Sequence, residues 1–217
     1  MQKQEFFVNS RFRYSLFAAL ALLVGCSSNF TVDVQPANSH QTLEANFTRA
    51  YFAPSESSED RVVLLSDPID DPTDTTHGGP LQRDTDPPLY NVLLVQLHWR
   101  IASPAKADSL VAHNAVLHWY VYGKPTGTGI GILHYVGTGQ VVINTDSTGA
   151  DVSITRAELQ LADQNGSLRD PFQKMEIKSH FHAVLNPGLL NRALDDVNQA
   201  MTEAAKNARS AATQPGG

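Results

Sequence analysis

From Tyr90 onward, apolar and polar positions alternate with the two-residue period of strands that bury one face. Leu93, Val95, Leu97, Trp99 and Ile101 share one parity, and Ala115, Leu117, Trp119 and Val121 do the same in a second strand. Both tryptophans are thereby expected to point inward. Ile130 to Tyr135 and Gln140 to Asn144 read as two short strands split by Gly137-Thr138-Gly139. Val152 to Leu161 reads as a longer one, and Met175, Ile177, Phe181, Ala183 and Leu185 as a strand facing the core. Asn165-Gly166 is a hairpin signal between those two. Upstream, Leu43 to Phe52 fits a strand or a short helix about equally, and Arg61 to Leu65 is an apolar run suited to a buried strand. Residues 66–88 are dominated by Asp, Pro, Thr and Gly, so they read as a loop.

The period changes near the C-terminus. Asn186 suits a helix N-cap and Pro187 the first helical position. Leu190, Ala193, Leu194, Val197 and Met201 then recur at three- and four-residue steps as one apolar stripe. A helix over about 188–207 follows, docked on the sheet or its edge, with a disordered tail at 208–217. Strands followed by one terminal helix give the α+β class, mainly β. The expected architecture is an antiparallel sheet or sandwich with a C-terminal amphipathic helix.

The N-terminus has another pattern. Lys3, Arg11 and Arg13 precede an apolar run from Tyr14 to Val24, which is too short to span a bilayer and of the right length for an export signal. The run ends in Leu23-Val24-Gly25-Cys26, followed by Ser27-Ser28. This stretch resembles the lipobox of bacterial lipoproteins, and the resemblance covers residues 1–28. It implies cleavage between Gly25 and Cys26, diacylglycerol on the Cys26 thiol, and attachment to a membrane through that lipid. Two or three acyl chains suffice for stable anchoring. By the sorting rule of enterobacterial lipoproteins, Ser27 beside the cysteine implies the outer membrane, facing the periplasm. The expected organisation is a signal peptide at 1–25, the lipidated cysteine and a tether at 26–41, and one β-rich domain at 42–207.

Composition narrows the function. The formal net charge is -6, and becomes -8 once Lys3, Arg11, Arg13 and Glu5 leave with the signal. Without clustered Lys and Arg there is no counterion release to drive nucleic-acid binding. A single cysteine excludes an internal disulfide and a cysteine-based zinc ribbon. Asp67, Asp70, Asp71 and Asp74 lack the order of a calcium loop, so a solvated acidic loop is the favoured reading. Gly123 to Gly139 lacks the ending of a phosphate loop, and no helix pattern follows it.

The polar parity of the strands carries the remaining chemistry. Gln96, His98 and Arg100 share the second face of one strand. His118, Tyr120 and Tyr122 share that of the next, and Lys174, Glu176, Lys178, His180 and His182 that of the last long one. His98-Trp99 and His118-Trp119 repeat one arrangement, and His134-Tyr135 resembles them less closely. If the first two strands pair, His98 and His118 come within reach of each other, since opposed Cβ atoms sit about 5 Å apart. Imidazole is the commonest transition-metal ligand, so His98, His118, His180 and His182 form a candidate Zn²⁺ or Cu²⁺ set. The favoured alternative is a solvated or protein-binding face made of His98, Arg100, His118, Tyr120, Tyr122, His180 and His182. No nucleophile elbow marks a hydrolase. Asp151, Glu158 and Glu176 are strand carboxylates whose separation the sequence does not fix. The reading is a lipid-anchored envelope protein with a non-enzymatic binding or structural domain and an envelope protein as partner. A metal-binding protein is the alternative, and an envelope hydrolase the third.

Overall fold

A computed structural model describes residues 30–54, 60–65, 89–100, 113–123, 130–166 and 168–213. The signal segment with Gly25 and Cys26, the acidic loop at 66–88 and the glycine-rich residues 124–129 lie outside the described residues. The strands among the described residues are β1 (Phe30–Pro36), β2 (Leu43–Phe47), β3 (Arg49–Ala53), β4 (Arg61–Leu65), β5 (Leu89–Leu97), β6 (Ala115–Gly123), β7 (Gly131–Thr145), β8 (Gly149–Asn165) and β9 (Lys174–Leu185). One helix, α1 (Pro187–Thr213), follows. The fold is α+β, mainly β, as the alternation predicts. Among the described residues no helix is long and apolar enough to cross a membrane.

The strands form a single sheet that closes on itself. Their order is β2-β1-β9-β3-β4-β5-β6-β7-β8, and β8 pairs in turn with β9. Strands β3 to β9 therefore make a ring. The ring is antiparallel except where β9 runs parallel to β3. One edge of β9 is paired with β8. Its other edge is shared, with Met175–Ser179 against β1 and Val184–Leu185 against β3. Strand β2 pairs with β1, and after a bend at Thr48 the chain continues as β3.

Alternate side chains of a closed sheet fill its interior. Phe47, Leu64, Leu93, Leu97, Leu117, Trp119, Leu133, Tyr135, Ile154, Leu159, Met175 and Ile177 are all essentially withdrawn from water there. Each large apolar side chain buried this way contributes roughly 1.5–3 kcal/mol. Trp119 lies 6.1 Å from Phe47 and 6.4 Å from Tyr135 between ring centroids, and its indole N–H donates to Asn91 Oδ1 at 3.3 Å. The Tyr135 hydroxyl donates to Asp170 at 2.6 Å, and burial, followed by this hydrogen bond, pushes the phenol pKa far upward.

The helix covers part of the outside. Leu190, Ala193 and Val197 pack on Val63 and Val92, with Tyr51, Leu65, Tyr120, Tyr122, Leu194 and Met201 around them. Strand β4 is thus covered on both faces, which explains its unbroken apolar run. The Asn186 side chain accepts the Leu189 N–H at 3.0 Å, the N-cap that the sequence predicts.

Several boundaries differ from the sequence expectation. Residues 30–36, assigned to a tether, are a strand: Val32 and Val34 are buried while Asp33 and Gln35 face out. Only residues 27–29 separate Cys26 from the sheet. The two short strands around Gly137 are one, because glycine lets β7 and β8 approach closely: a Cβ on Gly137 would sit 1.8 Å from the Glu158 carbonyl oxygen. Bulges interrupt this pair at His134/Tyr135 and Gln140/Val141. At the second bulge, buried Asn114 accepts the Val141 N–H at 2.8 Å and donates to the carbonyls of Val141 and Trp99 at 2.8 and 3.0 Å. The helix continues to Thr213, so much of the tail expected to be disordered is helical. Strand β5 stops at Leu97, and Trp99, expected inside, is 47% exposed.

Candidate functional site

Strands β6 and β7 pair in a register that puts Tyr120 opposite His134 and His118 opposite Val136. Trp119, Val121, Leu133 and Tyr135 point inward, so His118, Tyr120 and His134 project outward together. The Tyr120 and His134 rings stack with centroids 4.3 Å apart and planes inclined by 11°. His118 Nδ1 lies 3.0 Å from His134 Nε2, and the ring centroids are 5.3 Å apart. The centroid separation exceeds the nitrogen separation by about two ring radii, so the nitrogens face each other end to end. One imidazole N–H donates to the lone pair of the other. Tyr90 and Tyr122 stack alongside, 5.1 Å apart at 7°.

The surroundings favour neutral rings. Burial lowers the His118 pKa. Burial, and then repulsion from His118, lowers His134 to about 4, against an opposing pull from Asp163 on β8. Burial raises Tyr120. Burial, with Asp196 of α1 and Tyr90, pushes Tyr122 up to about 12. The result is a half-buried strip of uncharged donors and acceptors bordered by the helix. Such a strip can exchange hydrogen bonds and stacking contacts with a partner without desolvating a full charge.

Of the residues singled out in the sequence, His118, Tyr120 and Tyr122 are brought together and the others are not. His98 lies beyond the end of β5, where its N–H donates to the Asn114 carbonyl; the β5 residue opposite His118 is Leu94. The expected approach of His98 to His118 therefore does not occur. Arg100 is held at one end of the ring by a two-point contact with buried Asp60, which raises its pKa chiefly through that hydrogen bond. His180 and His182 lie on β9, separated from β6 by β7 and β8, and His182 Nδ1 is 2.8 Å from Asp151. The four histidines of the candidate metal set thus occupy three places. Among the described residues no group of three or more His, Cys, Asp or Glu side chains converges.

The strand carboxylates are likewise engaged. Glu158 and Glu176 oppose each other across β8 and β9, but Arg156 contacts both, Lys174 reaches Glu158 and Lys178 reaches Glu176, at 2.9–3.0 Å. The Lys174 hydrogen bond holds Glu158 below the usual carboxylate range. This is a solvated ladder of opposite charges on the outer face of β8 and β9. Asp60, Asn114 and His134 escaped the sequence reading as site residues. For His134 a signal existed: equal steps outward from Gly127 set Tyr120 opposite His134.

Comparison with protein-family models, curated proteins and solved structures finds no match to this chain.

Proposed function

We propose that this chain is a bacterial lipoprotein, held by lipid on Cys26 at the outer membrane and facing the periplasm. Its ring-shaped sheet acts there as a non-enzymatic binding or structural module. One observation carries the reading: Leu23-Val24-Gly25-Cys26 closes an apolar run of signal length and stands just ahead of the first strand. The side-chain-filled interior supports a module that works through its outside. The imidazole–tyrosine strip of His118, Tyr120 and His134 is the favoured contact for an envelope protein partner, since tyrosine is enriched at such interfaces.

Two measurements test this. Replacing Cys26 with Ala should move the protein from the membrane to the soluble fraction; a processed product still held on the membrane would refute the anchor. Crosslinking in intact cells should recover a defined envelope protein with the native chain and lose it with His118→Ala/His134→Ala. A crosslinking pattern unchanged by the double substitution would remove the strip from the interface.

A further inference from the structure

Every large apolar side chain exposed among the described residues lies at one end of the ring. Trp99 is 47% exposed, Val184 51% and Leu185 43%. Register places them together: Leu185 pairs with Phe52 near the end of β3, Ala53 pairs with Arg61 at the start of β4, and Arg61 pairs with Gln96 just before the end of β5. Beyond that end, the Asn114 amide holds the Trp99 carbonyl. The hairpin between β7 and β8 closes at the same end, where the Leu185 N–H donates to Thr148.

The N-terminal chain emerges toward this end. Strand β1 runs antiparallel to β9, with Val32 beside Ser179, and the Phe30 ring contacts Phe181 at 6.0 Å. Traced backward, β1 therefore heads toward Leu185. From Phe181 to Leu185 the strand advances about 13 Å, and the four steps from Phe30 back to Cys26 reach at most about 14 Å. With β1 fixed in the sheet, the anchor has little freedom to set the domain away from the bilayer or to turn its other end inward.

We propose that this end of the ring is a membrane-contacting surface. Trp99, Val184 and Leu185 rest at the headgroup level of a zwitterionic lipid surface beside the acylated Cys26. Tryptophan suits that level because its ring is apolar and its N–H is wet. A zwitterionic surface is favoured over a strongly anionic one by the net charge, -6 for the full chain and -8 without Lys3, Glu5, Arg11 and Arg13. The proposal rests on the lipoprotein reading and adds an orientation to it.

The test uses the full lipidated protein in phosphatidylcholine vesicles, with and without bromine on the acyl chains. The chain has two tryptophans, and Trp119 is 1% exposed inside the ring. Brominated lipid should quench the Trp99 emission, and Trp99→Phe should abolish that quenching while leaving the Trp119 signal. Mass spectrometry of the same sample separates the two ideas. An unmodified Cys26 sinks the anchor and the orientation with it. An acylated Cys26 with unquenched Trp99 sinks the orientation alone. If Trp99 is unquenched and the lipidated protein sediments as a dimer, that end belongs to a second copy and the proposal is overturned.

Discussion

Acidification offers the most direct probe of the imidazole pair. His134 is held at about 4 in the folded chain, against about 6.5 for an unfolded histidine. Between those values the unfolded chain binds a proton that the folded chain refuses, so stability is fully present above about pH 6.5 and falls as pH drops toward 4. From pH 7 to pH 5 the undiscounted loss is about 2 kcal/mol, at 1.36 kcal/mol per unit across roughly 1.5 units. The ring is only half-buried, so screening by water reduces this to about 1 kcal/mol. His118, lowered by its own burial, contributes in the same direction. Asp163, facing His134 from β8, opposes it. Urea unfolding of the native protein and a His134→Gln variant at both pH values isolates the effect: the native protein should lose about 1 kcal/mol more. Imidazole nitrogen resonances give the midpoint independently. Equal losses in the two proteins, or a His134 midpoint at or above 6.5, would refute the buried neutral pair.

Two substitutions test the framework that positions this strip. Asn114→Ala removes two buried hydrogen bonds at the β7 bulge and a part-buried one to the Trp99 carbonyl, and should cost about 2–4 kcal/mol, read as a lower urea midpoint at unchanged slope. A loss under about 1 kcal/mol would show that the bulge holds itself. Gly137→Ala drives a methyl into the Glu158 carbonyl and should cost at least about 2 kcal/mol with faster amide exchange along β8. Wild-type exchange in that variant would mean that the strands have room to part.

The alternation alone located the buried face of β6 and that of β9 as far as Ala183, and the Asn186-Pro187 start located α1, because those signals are local; Leu185, expected on the core face, is 43% exposed because β9 leaves the filled interior there. Trp99 shows where parity fails. It continues the inward series of Leu93, Val95 and Leu97, but β5 ends before reaching it, and a strand end is decided by its neighbours. His134 faces Tyr120 across a local hairpin, and counting outward from Gly127 pairs the two, but alternation gives each strand's face and not that register. The β5–β6 register likewise decides the exclusion of His98 from His118. The alternating Phe30–Pro36 segment was obscured by its short span and polar surroundings. Its strand character depends on Met175–Ser179, far along the chain.

The dependence of three neighbours on β9 also shapes how the molecule is made. A chain emerging amino end first has no ring until its last strand arrives, so β1, β3 and β8 all wait with unpaired edges for residues 174–185. Contacts of such long sequence separation form slowly. The same delay leaves those strand edges open to pairing with other chains until β9 is in place.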